Sequence, residues 1–352
     1  AFFCGAMPIY KGYNARGISH EKLHKRRPYY VAQQTDPKLP AAIESVHQTN
    51  TAVNRLAKDG ATCAKVYIEN GFDLQNNIPM INKKNLMALT KHAASINIPT
   101  MAHANATDMQ LIAANVGVKI MGHGLWNWLE EQQLANEATL PPKVLSVLDK
   151  IVANQIAYQP TLNVVRSLTD LMVNNHMKKP EYQSVVPQWQ LDWYLSAPGQ
   201  WFAKVMFDDW GGVALQEIIN RFTAKQLNGQ RVLKYLYDNG STVLLGSDTP
   251  PAPTYASQPG LATYNELGDM HKAGVDLKGL LSAATLNNAK AYNLDHDYGS
   301  IEVGKVANLL LLKSNPLTAV AAYDDIELVV LNGKAIKREK LHVSALAQAT
   351  PK

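Results

Sequence analysis

The pentapeptide HEKLH at residues 20–24 has the spacing of a zinc site. In the H-E-x-x-H pattern, two histidines one helical turn apart bind zinc and the glutamate between them is the general base. Such a site needs a long helix with an apolar reverse face, but Gly17 precedes the motif and Pro28 stops a helix soon after it. We therefore interpret HEKLH as a basic surface turn, with a zincin as the weaker hypothesis.

Four other residues with metal-binding or acid–base side chains each follow or interrupt an apolar, strand-like run. Lys65 lies within ATCAKVYI, His103 ends IPTMAH, His123 ends VKIMGH and Asp248 ends STVLLGSD. Taken singly, a histidine after a strand is often structural, and an aspartate there is often the N-cap of the next helix. Taken together, at equivalent positions on four strands, they predict a metal or catalytic site at one edge of a sheet.

Three further polar residues are weaker candidates for substrate contacts. Tyr67 and Asn70 follow Lys65, in the region where a barrel presents side chains to its substrate. Arg166 follows the run YQPTL and could bind a substrate carboxylate with two hydrogen bonds. For each of the three, a packing or surface role is the simpler interpretation.

The segments that would position these residues alternate between strand-like and helix-like patterns. Strands are predicted at 1–7, 29–35, 61–71, 98–105, 118–124, 155–162 and 241–250. Helices are predicted at 41–60, 82–97, 106–117, 141–154 and 231–240. This alternation is typical of parallel βαβ units, so we predict an α/β fold and favour a (β/α)₈ TIM-like barrel over an open sheet.

Two regions depart from this alternation. Residues 163–230 contain four tryptophans and little strand pattern, which predicts a helical insertion in the barrel. From residue 299 onward, apolar strands and Gly turns, including NG at 332–333, predict strands of a small β-sandwich. We therefore expect a barrel over 1–298 and sandwich strands with a tail over 299–352. Because the sequence opens inside a strand, we expect this barrel to be incomplete at its N-terminus.

Composition bounds the compartment and the partners. The 352 residues are 46% hydrophobic, enough for a large core, and the net charge of +5 is scattered apart from HKRRP at 24–28. One short basic cluster supplies too few phosphate contacts for nucleic-acid binding, and no run of 18 apolar residues predicts a membrane span. Cys4 and Cys63 form no C-x-x-C motif and are too few for a disulfide framework, which fits a reducing compartment. A cytoplasmic and a periplasmic location both stay open.

The strand-end residues and the C-terminal sequence together resemble the amidohydrolase superfamily of metal-dependent hydrolases. The most specific likeness is AATLNNAKAYNLDHDYGSIEVGKVANLLLLKSNPL at 283–317, followed by LVVLNGK, which resembles the family's last barrel helix and returning sandwich strands. The segments GATCAKVYIENG, HAN, GHG and GSDTP resemble its fourth, fifth, sixth and eighth strands. The subgroup resembled is the imidazolonepropionase-like and prolidase-like enzymes, which carry a carboxylated lysine.

The resemblance implies a site for up to two divalent metal ions, with zinc the expected metal. Lys65 would react with CO₂ to give a carbamate that bridges the ions, because a desolvated lysine presents the neutral amine that CO₂ needs. His103 and His123 would bind one ion and Asp248 the other. Asp248 would also take a proton from the attacking hydroxide and pass it to the leaving nitrogen.

One departure from the family keeps the function open. The family's first strand carries an H-x-H pair that completes the second metal site, and this sequence contains no His-x-His. The leading hypothesis is a hydrolase that cleaves the C–N bond of a small dipeptide-like or cyclic amide. The alternative is an inactive barrel that acts as a binding or structural module, and the zincin hypothesis makes Glu21 catalytic instead. A homo-oligomer is compatible with the aromatic-rich insertion.

Overall fold

The structure is a computed structural model that describes residues 2–7, 44–70, 80–134, 139–173, 176–208, 210–249 and 256–343. The HEKLH motif, the HKRRP patch and the strand predicted at 29–35 lie outside these residues. The chain divides into two compact units. The first unit comprises residues 1–159, 239–242 and 290–293, and the second comprises 160–238, 243–289 and 294–352.

A five-stranded parallel sheet, with its strands in sequence order, forms the centre of the first unit. The strands are β1 (Cys4–Ala6), β2 (Cys63–Tyr67), β3 (Thr100–His103), β4 (Ile120–Met121) and β5 (Ala157–Tyr158). The helices between them are α1 (Val46–Lys58), α2 (Lys83–Ser95), α3 (Thr107–Val116) and α4 (Pro142–Ala153). The predicted α/β fold with a parallel sheet is therefore confirmed.

Local sequence signals explain where these helices begin and end. Ser45 and Gln48 form a capping box at the start of α1, and the Asn82 side chain accepts the Asn85 N–H at 2.9 Å at the start of α2. Helix α3 ends at Gly117, whose φ of +81° is a left-handed conformation that glycine adopts without strain. Each helix then buries one apolar stripe, which in α1 includes Val53 and Leu56.

The two cysteines correct an interpretation made from the sequence. Cys4 on β1 and Cys63 on β2 lie directly opposite each other, with their Cα atoms 4.5 Å apart, and are joined in a disulfide. No local pattern predicts the pairing, because 59 residues separate the two positions and the parallel register of the strands brings them together. The pair therefore gives no support to a reducing compartment.

The second unit is mostly helical in the part of the chain that the structure describes. Its helices are α5 (Leu162–Val173), α6 (Pro180–Val185), α7 (Gln188–Leu195), α8 (Trp201–Asp208), α9 (Leu215–Asp238), α10 (Leu261–Lys272), α11 (Leu277–Ala284) and most of α12 (Leu286–Ala291). Helix α5 packs against α9 and α10. Within the described ranges, no helix combines the length and the apolar character needed to cross a membrane.

The strand predicted at 241–250 differs from what the structure contains. Residues 241–249 include a single bridging residue, at position 243, and form no regular strand. The Thr242 carbonyl accepts the Tyr158 N–H at 2.9 Å, and the Leu245 N–H donates to the Ala283 carbonyl at 3.1 Å. The apolar run that suggested a strand is therefore buried in an extended segment held by isolated backbone hydrogen bonds.

A small antiparallel sheet forms the C-terminal part of the second unit. Its strands are β6 (Leu309–Leu312), β7 (Ile326–Leu331) and β8 (Lys334–Lys337), in that order, and the predicted Asn-Gly turn connects the last two. Strand β6 is an edge strand, and its leucines 309, 310 and 311 are 37%, 55% and 52% exposed. The sheet therefore presents apolar side chains to solvent.

A buried carboxyl group holds the start of α5. Glu266 on α10 is fully buried, and its two oxygens accept the N–H groups of Leu162 at 2.9 Å and Asn163 at 2.6 Å. The preceding Thr161 has a φ of +45°, a strained value for a β-branched residue. Burial raises the pKa of Glu266 to about 8, and nearby Asp269 acts in the same direction.

This pKa predicts how the stability of the second unit depends on pH. Between the ordinary value of 4.5 and about 8, the folded chain holds a proton on Glu266 that the unfolded chain has released. The free energy of unfolding therefore falls as the pH rises, by up to about 1.4 kcal/mol per pH unit. In urea denaturation, Glu266→Gln should lack this pH-dependent fall in the free energy of unfolding. The variant should therefore gain stability relative to the parent from pH 5 to 8.

Glu217→Gln is the matched control, because Glu217 is an exposed residue that pairs with Arg221 on α9. Its stability should follow that of the parent across the same range. A constant difference in stability between the parent and Glu266→Gln from pH 5 to 8 would contradict the assignment.

Candidate metal and catalytic site

Three of the four strand-end residues come together in the first unit. The ring centroids of His103 and His123 lie 4.5 Å apart, with the rings inclined by 75°. The charge of Lys65 acts on both imidazoles. A lysine and two histidines from three neighbouring strands therefore form one cluster.

Both histidines are held in their neutral form. Burial is the main cause that lowers the pKa of His103 well below its ordinary value, and His123 and Lys65 lower it further. Burial and the charge of Lys65 likewise lower the pKa of His123. A neutral imidazole keeps the lone pair that a metal ion needs, so both rings are suitable ligands at neutral pH.

Parallel register explains why the cluster forms. Tyr67 is opposite His103 across β2 and β3, and Met121 is opposite Ala102 across β3 and β4. Gly122 then lets the end of β4 approach β3 closely, because a Cβ atom there would lie 2.8 Å from the Met101 Cε and 3.0 Å from the Ala102 carbonyl oxygen. His123 follows directly and meets His103.

Aromatic side chains enclose the two histidines. The Tyr67 ring stacks on His103 with centroids 4.0 Å apart and planes inclined by 12°. The buried Trp126 ring meets His123 edge-on at 5.7 Å. Tyr67 was predicted as a substrate contact, and the structure places its ring against His103, a candidate metal ligand. The contact of Trp126 with His123 was not predicted. Asn70 lies in the bend after β2 and is partly exposed.

A buried carboxylate that the sequence analysis missed lies beside the cluster. Glu69 is 1% exposed, and its Oε2 accepts the backbone N–H of Asn105 at 3.2 Å. The Asn105 amide nitrogen lies 3.4 Å from the Nε2 of His103. The E in YIEN and the N in HAN therefore belong to the same group of contacts as His103.

Asp248 belongs to the second unit and is described there. Its φ is +50°, a left-handed conformation that aspartate tolerates better than most residues. Its neighbours are held by hydroxyl groups: Ser247 Oγ is 3.3 Å from Thr263 Oγ1, and Thr249 Oγ1 is 2.9 Å from Ser257 Oγ. A role for Asp248 with the histidines stays a prediction.

Arg166 makes contacts within the second unit. Its Nη2 lies 3.2 Å from the carboxylate of buried Asp269 and donates to the Asn163 Oδ1 at 2.7 Å. The ion pair uses part of the guanidinium that was predicted to bind a substrate carboxylate. That role also stays a prediction.

The cluster fits a metal ion in part. Two neutral imidazoles are ordinary zinc ligands, and a zinc site completes its coordination with one or two further groups. Among the residues that the structure describes, no three His, Cys, Asp or Glu side chains lie close enough together to hold a metal ion. Lys65, whose charge acts on both imidazoles, is a candidate for a further ligand.

Comparisons with known proteins agree with these features. Residues 216–336 match the amidohydrolase family. The 5-methylthioadenosine/S-adenosylhomocysteine deaminase of Thermoanaerobacter pseudethanolicus is 29% identical over 133 residues, which are 33% of this chain and 31% of that protein. The imidazolonepropionase of Symbiobacterium thermophilum is 42% identical over 77 residues, which are 21% of this chain and 17% of that protein.

Among solved structures, a Xaa-Pro dipeptidase with methionine bound in its active site has a TM-score of 0.60 and 17% identity. The similarity covers 95% of this chain and 66% of that one. The aligned regions thus span less than a third of the length of the deaminase and of the imidazolonepropionase. The structural similarity spans about two thirds of the dipeptidase. The family match covers about a third of the chain, and the fold is similar to that of the dipeptidase over most of its length. Imidazolonepropionase and prolidase-like structures are among the proteins that the chain is similar to.

The stacked Tyr67 ring predicts a contribution to stability that depends on its aromatic face. Stacked aromatic pairs contribute about 0.5–1.5 kcal/mol beyond the area that they bury. Tyr67→Leu should lower the free energy of unfolding by about 1 kcal/mol or more, measured by urea denaturation in EDTA. Tyr67→Phe keeps the ring and should stay close to the parent, and an equal loss in both variants would assign the effect to the hydroxyl group instead.

Proposed function

We propose that this chain forms the catalytic part of a metal-dependent hydrolase that cleaves a C–N bond in a small amide. The observation that carries the proposal is the pair of neutral histidines, of which His123 is buried and His103 is half-buried, beside Lys65 at the ends of adjacent parallel strands. The match to the amidohydrolase family supports the reaction class. The deaminase and dipeptidase relatives act on C–N bonds and support the same class.

His103 and His123 would hold a divalent metal ion, for which zinc is the first candidate, and Lys65 would supply a further ligand as its carbamate. When bound, the metal would polarise the substrate carbonyl and lower the pKa of the attacking water. Asp248 would accept the proton of that water on its carboxylate and later donate it to the leaving nitrogen. In this proposal the aromatic rings of Tyr67 and Trp126 exclude bulk water from the two imidazoles.

We propose a dipeptide-like or cyclic amide as the substrate. The dipeptidase similarity, which extends over most of this chain, favours a dipeptide with its scissile bond next to proline. The imidazolonepropionase similarity is closer in sequence but shorter, and favours a cyclic amide. Both are small molecules with one scissile C–N bond.

We also propose that the parallel sheet belongs to a (β/α)₈ barrel and the three-stranded sheet to a β-sandwich. Five parallel strands alternating with helices support the barrel. The exposed Leu309 and Leu311, which share one face of β6, support a sandwich, because an apolar sheet face is normally covered by a second sheet. The barrel would span residues 1–298 and the sandwich strands 299–352.

An activity assay tests the proposal directly. The purified protein, loaded with Zn²⁺ or Mn²⁺, should hydrolyse at least one member of a panel of Xaa-Pro dipeptides, N-acyl amino acids and cyclic amides, with EDTA abolishing turnover. Amine release and ammonia release are measured separately, so that amide hydrolysis and deamination give different signals. Activity that survives EDTA would argue against a metal-dependent reaction, and turnover that ceases in Glu21→Gln but not in Lys65→Ala would favour the zincin hypothesis.

Substitution of Asp248 tests its acid–base role. Asp248→Asn should reduce kcat by roughly 10²–10⁴-fold, the usual contribution of a general acid–base group. Asp208→Asn, at an exposed carboxylate that pairs with Lys204, is the control and should keep parental kcat. Near-parental kcat in Asp248→Asn would remove Asp248 from the mechanism, and metal binding without turnover on any substrate would favour the inactive binding module.

A further inference from the structure

Gln110 joins the backbone next to both candidate metal ligands. This side chain on α3 is fully buried, and its amide nitrogen donates to two main-chain carbonyls, those of Ala104 at 3.0 Å and His123 at 3.1 Å. Ala104 directly follows His103. One amide group therefore connects the ends of the two strands that carry the histidines.

The chemistry of the amide suits this connection. A carboxamide nitrogen has two protons, so it can serve both carbonyl oxygens at once. A buried carbonyl that loses its donor costs about 1–3 kcal/mol, which makes the arrangement difficult to replace with an apolar side chain. No other residue type of similar length places two donors on one atom without carrying a charge.

Helix α3 holds Gln110 firmly in place. The helix begins four residues after His103, and Met109, Ala113 and Ala114 beside Gln110 are buried. The α3 backbone and the strand ends thus form one packed layer, in which Gln110 has little freedom to move. Its position is set by the helix and not by the histidines.

A second set of hydrogen bonds holds the segments that follow the same two strands. The Asn105 carbonyl accepts the N–H groups of Trp126 and Asn127, each at 3.1 Å, and the Asn105 N–H donates to Glu69. In the next segment the Leu125 N–H donates to the Tyr158 hydroxyl at 2.7 Å. These contacts fix the segments after β3 and β4, and the Gln110 side chain bridges the carbonyl of His123 to that of the residue after His103.

We propose that Gln110 is a positioning residue that sets the separation of the His103 and His123 imidazoles for metal binding. The inference rests on the proposed function, because that separation matters only if the two rings share a metal ion. The two hydrogen bonds that the Gln110 amide nitrogen donates go to main-chain carbonyls and not to the imidazoles, so Gln110 acts through the main chain. Loss of the Gln110 amide should therefore weaken metal binding by more than the accompanying loss of folding stability accounts for.

Gln110→Met tests the inference, since methionine has a similar length and volume but no donor. Co²⁺ titrations, followed by visible absorption, and urea denaturation in EDTA are performed on the same samples. We expect the Co²⁺ dissociation constant to rise roughly 10–100-fold, the usual effect of losing a group that orients metal ligands.

Thr90→Val is the matched control in the same unit. Thr90 donates a buried hydroxyl hydrogen bond to the Val116 carbonyl at 2.6 Å, so the variant also loses a side-chain hydrogen bond to buried backbone. It should lose stability while its Co²⁺ affinity stays parental. Equal affinity in Gln110→Met and the parent would overturn the inference, as would an equal loss of affinity in the Thr90→Val control.

The parent and His103→Ala separate this inference from the proposed function. If the parent binds no Co²⁺, or if His103→Ala binds it as well as the parent, the proposed metal site is wrong and the inference is overturned with it. If the parent binds Co²⁺ and His103→Ala does not, only Gln110→Met decides the inference. Should that variant not fold, deuterium exchange in the parent decides: slow exchange of the Gln110 amide protons supports the inference, and fast exchange overturns it.

Discussion

Parallel pairing of β2, β3 and β4 is the constraint on which the candidate site depends. Parallel strands point their carboxyl ends to the same edge of a sheet, so Lys65 and His103 lie near that edge, and the short segment after β4 with Gly122 brings His123 to them. Burial then follows from the helices that cover the sheet, and the lowered pKa of both histidines follows from the burial. The chemistry of the cluster is therefore a consequence of strand register.

Polar side chains that bind main-chain groups recur in both units. Glu69 and Gln110 hold the strand ends of the first unit, and Glu266 holds the start of α5 in the second. Each is buried, and each satisfies backbone groups that would otherwise lack a partner away from water. The strained φ of Thr161 lies directly before the helix start that the Glu266 carboxyl group fixes.

The sequence predicted the α/β fold and the positions of the strand-end residues because both depend on local pattern. An apolar run followed by a histidine is visible at His103 and His123 without knowledge of the rest of the chain. Contacts between distant segments leave no such pattern: 104 residues separate Glu266 from the Leu162 N–H that it accepts. Gln110 resembles any polar residue of an amphipathic helix until the helix is packed. The apolar run at 241–249 misled for a related reason, since burial of an extended segment and pairing in a sheet give the same pattern.

The small antiparallel sheet has a consequence for the handling of the protein. In the described part of the chain, β6 is an edge strand of four consecutive leucines, three of which are exposed, and it carries neither charge nor proline. Natural edge strands usually contain a lysine or a proline that prevents another chain from adding to the sheet, and here the one irregularity is a register shift between Leu311 and Leu312 at the end of the strand. During expression, an uncovered β6 would favour inclusion bodies through edge-to-edge pairing. A single lysine introduced at an exposed leucine of this strand is thus a direct route to more soluble material.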